Sequence, residues 1–251
     1  MKLLSLARDL GRRKARERRA QFVVEGVRAT EVLVESPLEI TGALVAPQLL
    51  EAPRGASLRD ALGRRGVPVE DVSARDFASA AGTESPQGVL AVANVPARSF
   101  ALLGDSRAPL LVLDGIQDPG NVGTIIRTAA ALGACATVAL PGTVDLWNAK
   151  VVRAAMGAHF THPAFDATLE ELTAFLHASD RALWVAAADG TPVNELAKPV
   201  RVAVALGNEG AGVTTALAAL AAQRVAIPIN GVESLNVAVA AGILLHALGA
   251  A

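Results

Sequence analysis

From about residue 110 onward, short apolar runs alternate with segments whose apolar residues recur at helical spacing. Uninterrupted apolar runs of this length are typical of strands buried on both faces of a parallel sheet, with helices packed on either side. The predicted strands are 110–113, 137–140, 182–187, 201–206 and 225–229. The predicted helices are 121–132, 145–156, 170–178, 213–222 and 234–248. Ligands of such sheets bind beyond the carboxyl ends of the strands.

The first hundred residues predict a smaller α/β unit. A basic helix over residues 2–19 is followed by a strand at 21–25 and a helix from Val27 to about Glu35, and further short strands follow at 40–46, 67–72 and 88–94. Residues 96–109 combine Pro, Ser, Gly and Asp and form the best linker candidate. We therefore predict two domains, residues 1–99 and residues 105–251.

The composition favours a packed protein without metal or disulfides. Hydrophobic residues make up 52% of the chain and charged residues 19%, which argues against disorder. The single cysteine, Cys135, cannot form an internal disulfide, and no His, Cys, Asp and Glu set has metal-ligand spacing. Because no metal-ligand spacing is present, the four histidines are interpreted as structural. No apolar run predicts a membrane span or a secretory signal, and the single cysteine fits a reducing compartment, so we expect a cytoplasmic protein.

Positive charge is concentrated at the N-terminus. Residues 1–28 contain nine basic and three acidic side chains, a net charge of +6, whereas the whole chain carries −1. Such a segment can follow the phosphates of a nucleic acid, although a charge run is more often only a solvated helix face. The candidate RNA-binding residues are Arg12, Arg13, Lys14 and Arg28.

Three loops rich in Gly and Asn follow predicted strands of the second domain. Their sequences are DGIQDPGNVG at 114–123, LGNEGAG at 206–212 and IPINGVESLN at 227–236. Because the strands are expected to be parallel, the three loops should meet at one edge of the sheet. Asn121 could cap the helix that carries Arg127, whose guanidinium suits a phosphate or carboxylate. Ser234 and Asn236 open the last helix, although both could be ordinary caps.

Several common enzyme classes are disfavoured. The chain has no G-x-G-x-x-G after a strand, no G-x-x-x-x-G-K-[ST] phosphate loop and no G-x-S-x-G elbow. A dinucleotide-binding domain, a P-loop nucleotidase and a serine hydrolase of that type are therefore poorly supported. The residue patterns alone indicate a ligand site at one edge of a parallel sheet.

The three loops, in this order, resemble the motifs of the SpoU/TrmH family of RNA ribose 2′-O-methyltransferases. The matching segments are NVGTIIRTAAALG at 121–133, LGNEGAG at 206–212 and IPINGVESLNVAVA at 227–240. The segment KVVRAAMGAHF at 150–160 also resembles the stretch between the first two motifs. The family often has Ser where Ala155 stands and a bulky aromatic residue where Leu132 stands. The first domain is similar to a substrate-binding domain with a fold like that of certain RNA-binding ribosomal proteins.

The resemblance implies a fold, a cofactor and an assembly. The fold would be a parallel sheet with a deep trefoil knot, and the cofactor would be S-adenosylmethionine. The protein would be a homodimer, with the last helix of each chain at the interface. The implied catalytic residues are Arg127, Asn121, Glu209, Ser234 and Asn236. The implied cofactor-binding residues are Leu206, Gly207, Asn208, Gly212, Ile227, Ile229, Leu235 and Asn236.

The same resemblance leaves the RNA open. Ribosomal RNA is favoured over transfer RNA because the appended first domain is similar to the one on enzymes that act on rRNA. A tRNA 2′-O-methyltransferase and a non-catalytic RNA-binding assembly factor of the same fold are the alternatives. A housekeeping role and an antibiotic-resistance role also remain open. In the family Arg127 is implied as the base for the 2′-OH, but a guanidinium stays protonated at ordinary pH, so phosphate binding is the simpler role.

Overall fold

The computed structural model describes residues 2–249 and divides into two compact units. The first unit contains the chain up to Ala97 together with Trp147–Thr161, and the second contains Arg98–Leu146 and the chain from His162 onward. Met1, Ala250 and Ala251, which belong to the two predicted domains, lie outside the described residues. The boundary near residue 100 stays a prediction.

The first unit is built on a four-stranded mixed sheet. Its strands are β1 (Gln21–Glu25), β2 (Ile40–Val45), β3 (Val69–Asp71) and β4 (Val89–Asn94). Its helices are α1 (Leu3–Asp9), α2 (Arg13–Arg19), α3 (Val27–Glu35), α4 (Pro53–Arg64), α5 (Ala74–Ala78) and α7 (Ala149–Ala154). The last of these belongs to the segment Trp147–Thr161, which follows Leu146 of the second unit in the sequence. The strand order is β1-β4-β2-β3, in which β4 runs antiparallel to both neighbours. β1, β2 and β4 contribute buried apolar residues to this unit's core, and residues from the surrounding helices and loops supply the rest.

The single basic helix predicted over residues 2–19 is wrong, because two helices form there. Arg16 is almost fully buried, at 5% exposure, and its Nη1 donates hydrogen bonds to the carbonyl oxygens of Leu10 (2.8 Å) and Gly11 (3.0 Å). These carbonyls lie in the turn after α1, where helical partners are missing. The buried guanidinium therefore stabilises a break that charge patterning cannot show.

The second unit contains a parallel sheet, as the alternating pattern predicts, but the sheet has six strands instead of the predicted five, because the three-residue strand Ala164–Asp166 was not predicted. Its strands are β5 (Leu110–Asp114), β6 (Ala136–Ala139), β7 (Ala164–Asp166), β8 (Ala182–Pro192), β9 (Val202–Gly207) and β10 (Gln223–Ala226). Its helices are α6 (Pro119–Ala131), α8 (Leu169–Ala178), α9 (Thr215–Ala218) and α10 (Val237–Leu248). The strand order is β10-β8-β9-β5-β6-β7, with every pairing parallel.

Within this sheet, the inner strands have no polar face. Every residue of β5 and of β6 is buried, and an apolar cluster of Leu, Val and Ala fills the space under α8. This burial on both faces explains the uninterrupted apolar runs. The predicted trefoil knot is a property of chain threading, which strand order alone does not fix, and it stays a prediction.

Helix ends in the second unit differ from the predictions. The helix predicted from Asn121 begins two residues earlier, at Pro119, and Asp118 is its N-cap, because the Asp118 Oδ1 accepts the backbone N–H of Asn121 at 2.7 Å. The idea that Asn121 caps this helix is therefore wrong. Proline in the first turn costs nothing because its missing N–H has no helical partner there. The predicted helix over 213–222 shortens to α9.

No helix within residues 2–249 is long and apolar enough to cross a membrane. Over the same residues, no three His, Cys, Asp or Glu side chains are placed so that they could hold a metal ion.

Candidate active site

The second and third Gly- and Asn-containing loops meet at one edge of the parallel sheet, at the ends of β9 and β10 and beside residues 186–188 of β8. They enclose a cavity of about 270 Å³. Its lining comprises Ala186, Ala187, Ala188, Leu206, Gly207, Asn208, Glu209, Gly212, Val225, Ile227, Ile229, Glu233, Ser234, Leu235, Val237, Ala240 and Leu244. The sheet therefore places its ligand cavity where parallel α/β sheets commonly have one.

The loop after β9 folds back on itself through Asn208. The backbones of Asn208 and Gly212 exchange two hydrogen bonds, of 3.0 and 2.8 Å. The Asn208 side chain accepts the N–H groups of Gly210 and Ala211 and donates to the carbonyl oxygen of Gly115 (3.1 Å). A Cβ at Gly207 would lie only 2.0 Å from the carbonyl carbon of Gly212, so glycine is required for this closed loop.

A buried carboxylate that the sequence analysis did not single out holds the far side of the same loop. Asp114, the last residue of β5, is only 3% exposed, and its Oδ2 accepts the backbone N–H of Thr214 at 2.6 Å. A buried carboxylate needs such donors to offset its lost hydration. An acid that ends an apolar strand was the available sequence signal for this role.

A chain of side-chain hydrogen bonds connects the three loops. The Asn121 Nδ2 donates to the Glu209 Oε1 at 2.7 Å, and the Asn236 Nδ2 donates to the Asn121 Oδ1 at 3.0 Å. The Asn236 Oδ1 in turn accepts the N–H groups of Ala238 and Val239, which makes Asn236 the N-cap of α10. Both atoms of the Asn121 amide are thus used across loops, which fixes its orientation.

Arg127 lies on α6, six residues after Asn121, and its side chain is exposed. Among residues 2–249 it has no hydrogen-bond or ion-pair partner, so all of its donors are available to a ligand. It does not line the cavity. No hydrogen bond joins Asn121 to Arg127, and the side-chain partners of Asn121 are Glu209 and Asn236.

Most of the predicted cofactor-binding residues line the cavity. Those that do are Leu206, Gly207, Asn208, Gly212, Ile227, Ile229 and Leu235. Asn236 does not line it and instead donates a hydrogen bond to Asn121. Of the predicted catalytic residues, Glu209 and Ser234 line it. Glu233 and the three alanines at 186–188 line the cavity but were not among the predicted site residues. Ala186 and Ala187 lie within the predicted strand, and Ala188 lies beyond its predicted end because β8 continues to Pro192.

The cavity is apolar and negative. Glu209 and Glu233 are its charged residues, and no Arg, Lys or His of the described chain lines it. The remaining lining is aliphatic side chains, glycines, Asn208 and Ser234. Such a cavity favours a ligand that combines a flat apolar group with positive charge.

The predicted RNA-binding residues lie in the first unit. Arg12 pairs with Asp9 (2.9 Å) and Arg13 with Glu17 (2.7 Å), yet the two arginine side chains remain 78% and 61% exposed. Lys14 and Arg28 are exposed as well. Exposed ion pairs of this kind contribute little stability, so they leave the arginines able to exchange partners.

Two family comparisons cover most of the chain. Residues 108–246 match the SpoU rRNA methylase family, and residues 5–91 match the MRM3-like substrate binding domain. The chain belongs to the SpoU rRNA methylase family.

Similar proteins of known name agree with this assignment. The 23S rRNA (guanosine(2553)-2′-O)-methyltransferase RlmP of Bacillus subtilis is 35% identical over 243 residues, which cover 96% of this chain and 93% of that protein. The 23S rRNA (adenosine(1067)-2′-O)-methyltransferase of Streptomyces laurentii is 33% identical, with coverages of 90% and 80%.

Solved structures of RNA methyltransferases resemble this chain over nearly its whole length. The AdoMet-bound rRNA methyltransferase from Sinorhizobium meliloti superposes with a TM-score of 0.87 at 26% identity, covering 98% of this chain and 93% of that one. The SpoU methyltransferase AviRb from Streptomyces viridochromogenes in complex with AdoMet superposes with a TM-score of 0.85 at 28% identity, covering 98% of this chain and 96% of that one.

Proposed function

We propose that this protein transfers the methyl group of S-adenosylmethionine to the ribose 2′-OH of a ribosomal RNA nucleotide. The observation that carries the proposal is the apolar, negative cavity bordered by the hydrogen-bond chain Glu209–Asn121–Asn236. Relatives named as 23S rRNA 2′-O-methyltransferases match nearly the whole chain, which favours rRNA over tRNA.

The cavity residues fit the cofactor. Leu206, Ile227 and Leu244 offer an apolar surface for the adenine ring, and the glycines allow close backbone approach. Glu209 and Glu233 place negative charge in the lining, which complements the sulfonium and the amino group of S-adenosylmethionine. When bound, this cofactor supplies a methyl group on a good leaving group, so no metal is needed.

The chain's own residues have to position the RNA. The fork of Arg127 suits a backbone phosphate and remains protonated, so we assign it to phosphate binding and to stabilising charge near the reacting oxygen. Glu209, held by Asn121, and Ser234 lie at the cavity where the ribose has to enter. Holding the 2′-OH in line with the methyl group is the main catalytic contribution.

The test is methyl transfer by Arg127→Ala. We expect tritiated-methyl incorporation into unmodified rRNA to fall more than about a hundredfold, because the phosphate contact is lost during the reaction. Binding of S-adenosylmethionine, measured by calorimetry, should change by less than about threefold, since Arg127 does not line the cavity.

Other outcomes have distinct meanings. Near-normal transfer by Arg127→Ala would refute the role of Arg127. A wild-type protein that binds rRNA but not S-adenosylmethionine would instead be a non-catalytic assembly factor. Mapping of 2′-O-methyl positions in RNA from cells with and without the protein would identify the nucleotide.

We also propose a homodimer, as the resemblance implies. Val239 and Ile243, four residues apart on α10, are 51% and 37% exposed. Residues at this spacing share one helix face, so they form an apolar stripe that a second copy of the chain can cover.

A further inference from the structure

A second cavity, of about 300 Å³, lies wholly within the first unit. It is lined by Glu25 at the end of β1, by the first turn of α3, by the loop before β4 and by α7 and the turn after it. The lining residues are Glu25, Gly26, Arg28, Ala29, Thr83, Ser85, Gln87, Arg153 and Met156. None of them lines the cavity of the candidate active site.

Two arginines in this cavity lack hydrogen-bond acceptors. Among residues 2–249, neither Arg28 nor Arg153 donates a hydrogen bond, and the buried Nη1 of Arg153 has no acceptor. Arg153 instead faces the Glu25 Oε2 at 3.8 Å, which is too long for a hydrogen bond. Guanidinium groups with so many unused donors are suited to an anionic oxygen ligand.

The one acidic residue of the cavity is already engaged by the protein. The Glu25 side chain is only 6% exposed, and its oxygens accept the N–H of Gly82 (2.8 Å) and the hydroxyl of Thr83. The lining therefore carries two arginines against one internally bonded carboxylate, so its excess charge is positive.

The cavity is held in shape before any ligand binds. The Gln87 Oε1 accepts the N–H of Val27 at 2.8 Å, which ties the loop before β4 to the start of α3. Gly26 has a φ of +98°, and a Cβ there would lie 3.1 Å from the Gln87 Oε1. A preformed shape reduces the ordering cost of binding.

We propose that this cavity binds a backbone phosphate of the RNA substrate between Arg28 and Arg153. The inference rests on the proposed function, and it adds a site and a residue that the sequence analysis did not name. Arg153 lies in the sequence stretch that matches the methylase family, yet it is part of the compact unit that contains the substrate-binding match.

The direct variant Arg153→Ala is unsuitable, because it would leave Glu25 buried without its counter-charge and could unfold the unit. The test uses Ala29→Glu, which places a negative charge in the lining, with Ala29→Gln as a neutral control of nearly the same size. Glutamate in the first turn of a helix is favourable, so both variants should fold.

We expect Ala29→Glu to bind unmodified, in vitro transcribed 23S rRNA about tenfold more weakly than Ala29→Gln in filter-binding assays. Arg28→Gln should lower the slope of log affinity against log salt by about one, as expected for one lost phosphate contact. Equal RNA affinity of Ala29→Glu and Ala29→Gln, or an unchanged salt slope for Arg28→Gln, would overturn the proposal.

The experiments distinguish a refutation of the phosphate site from a refutation of the proposed function. If wild-type protein methylates rRNA while Ala29→Glu and Ala29→Gln bind it equally, only the phosphate site is refuted. If wild-type protein neither binds S-adenosylmethionine nor transfers a methyl group, the proposed function is refuted. Calorimetry with S-adenosylmethionine should give the same affinity for Ala29→Glu and Ala29→Gln.

Discussion

At the residue scale, Asn121 is the point where the three loops of the active site are joined. Its Nδ2 donates a hydrogen bond to Glu209, and its Oδ1 accepts one from Asn236. Asn121→Asp keeps the size but replaces a donor by an acceptor that faces the Glu209 carboxylate. We expect kcat to fall on the order of tenfold to a hundredfold, because losing one such hydrogen bond and adding repulsion costs about 1–3 kcal/mol.

The matched control for Asn121→Asp is Asn148→Asp. The Asn148 Oδ1 accepts the backbone N–H of Lys150 at 2.9 Å, and as the N-cap of α7 this residue takes no part in the active-site network. Aspartate caps helices as well as asparagine, so Asn148→Asp should retain activity. Equal kcat values for both variants in the methyl-transfer assay would show that the Asn121 network is not needed.

At the element scale, the closed loop after β9 depends on glycine at its first position. Gly207→Ala would place a Cβ 2.0 Å from the Gly212 carbonyl carbon, so the loop has to open. Because the loop lines the cavity, we expect calorimetry to show at least a tenfold loss of S-adenosylmethionine affinity. Gly210→Ala is the control, since its Cβ would meet only the Asn208 Oδ1 at 3.6 Å. Unchanged affinity in Gly207→Ala would contradict this role.

Strands could be predicted from the sequence where burial alone determines the residue type, whereas helix ends that depend on particular side-chain contacts could not. The strands β5 and β9 could be predicted because residues 110–113 and 202–206 are all buried and all apolar, as burial on both faces of a sheet requires. The start of α6 could not be placed correctly because Asp118 and Asn121 are both good caps, and only the hydrogen bond from Asn121 to Asp118 distinguishes them. The break between α1 and α2 depends on buried Arg16, whose burial is a tertiary property.

The candidate site shows the same division. The loops that end parallel strands predicted the edge of the sheet where the cavity lies, and the family resemblance supplied Gly207, Gly212 and Leu235, but Glu233 and Asp114 were missed. Their roles arise from contacts between loops distant in sequence, such as Asp114 with Thr214. Local spacing carries no information about such pairs, whereas it does carry information about strand ends.

At the scale of the whole molecule, the assembly can be tested on α10. Replacing Val239 and Ile243 together by lysine should convert a dimer into monomers, because burying two uncompensated charges in an interface is unfavourable. Sedimentation velocity would measure the change. Leu220→Lys is the control, since Leu220 is 39% exposed but lies outside α10. A wild-type protein that sediments as a monomer would refute the homodimer.

Acid stability of the protein should depend on His162. Burial, together with the nearby charge of Arg98, lowers the pKa of His162 from 6.5 to about 4. The ring is 5% exposed, and its Nε2 lies 2.9 Å from the Thr137 Oγ1. Between these two values the unfolded chain binds a proton that the folded protein excludes. The stabilisation is therefore complete above the unfolded pKa of 6.5 and is lost as the pH falls towards 4.

His162→Gln provides the test, because glutamine can accept the Thr137 hydroxyl but does not titrate. Urea unfolding should show that the wild-type protein loses about 2–3 kcal/mol more free energy of unfolding than His162→Gln between about pH 7 and about pH 4.5. Carboxylates elsewhere titrate in both proteins and cancel in the comparison. Parallel pH profiles for the two proteins would show that His162 is not excluded from protonation in the folded state.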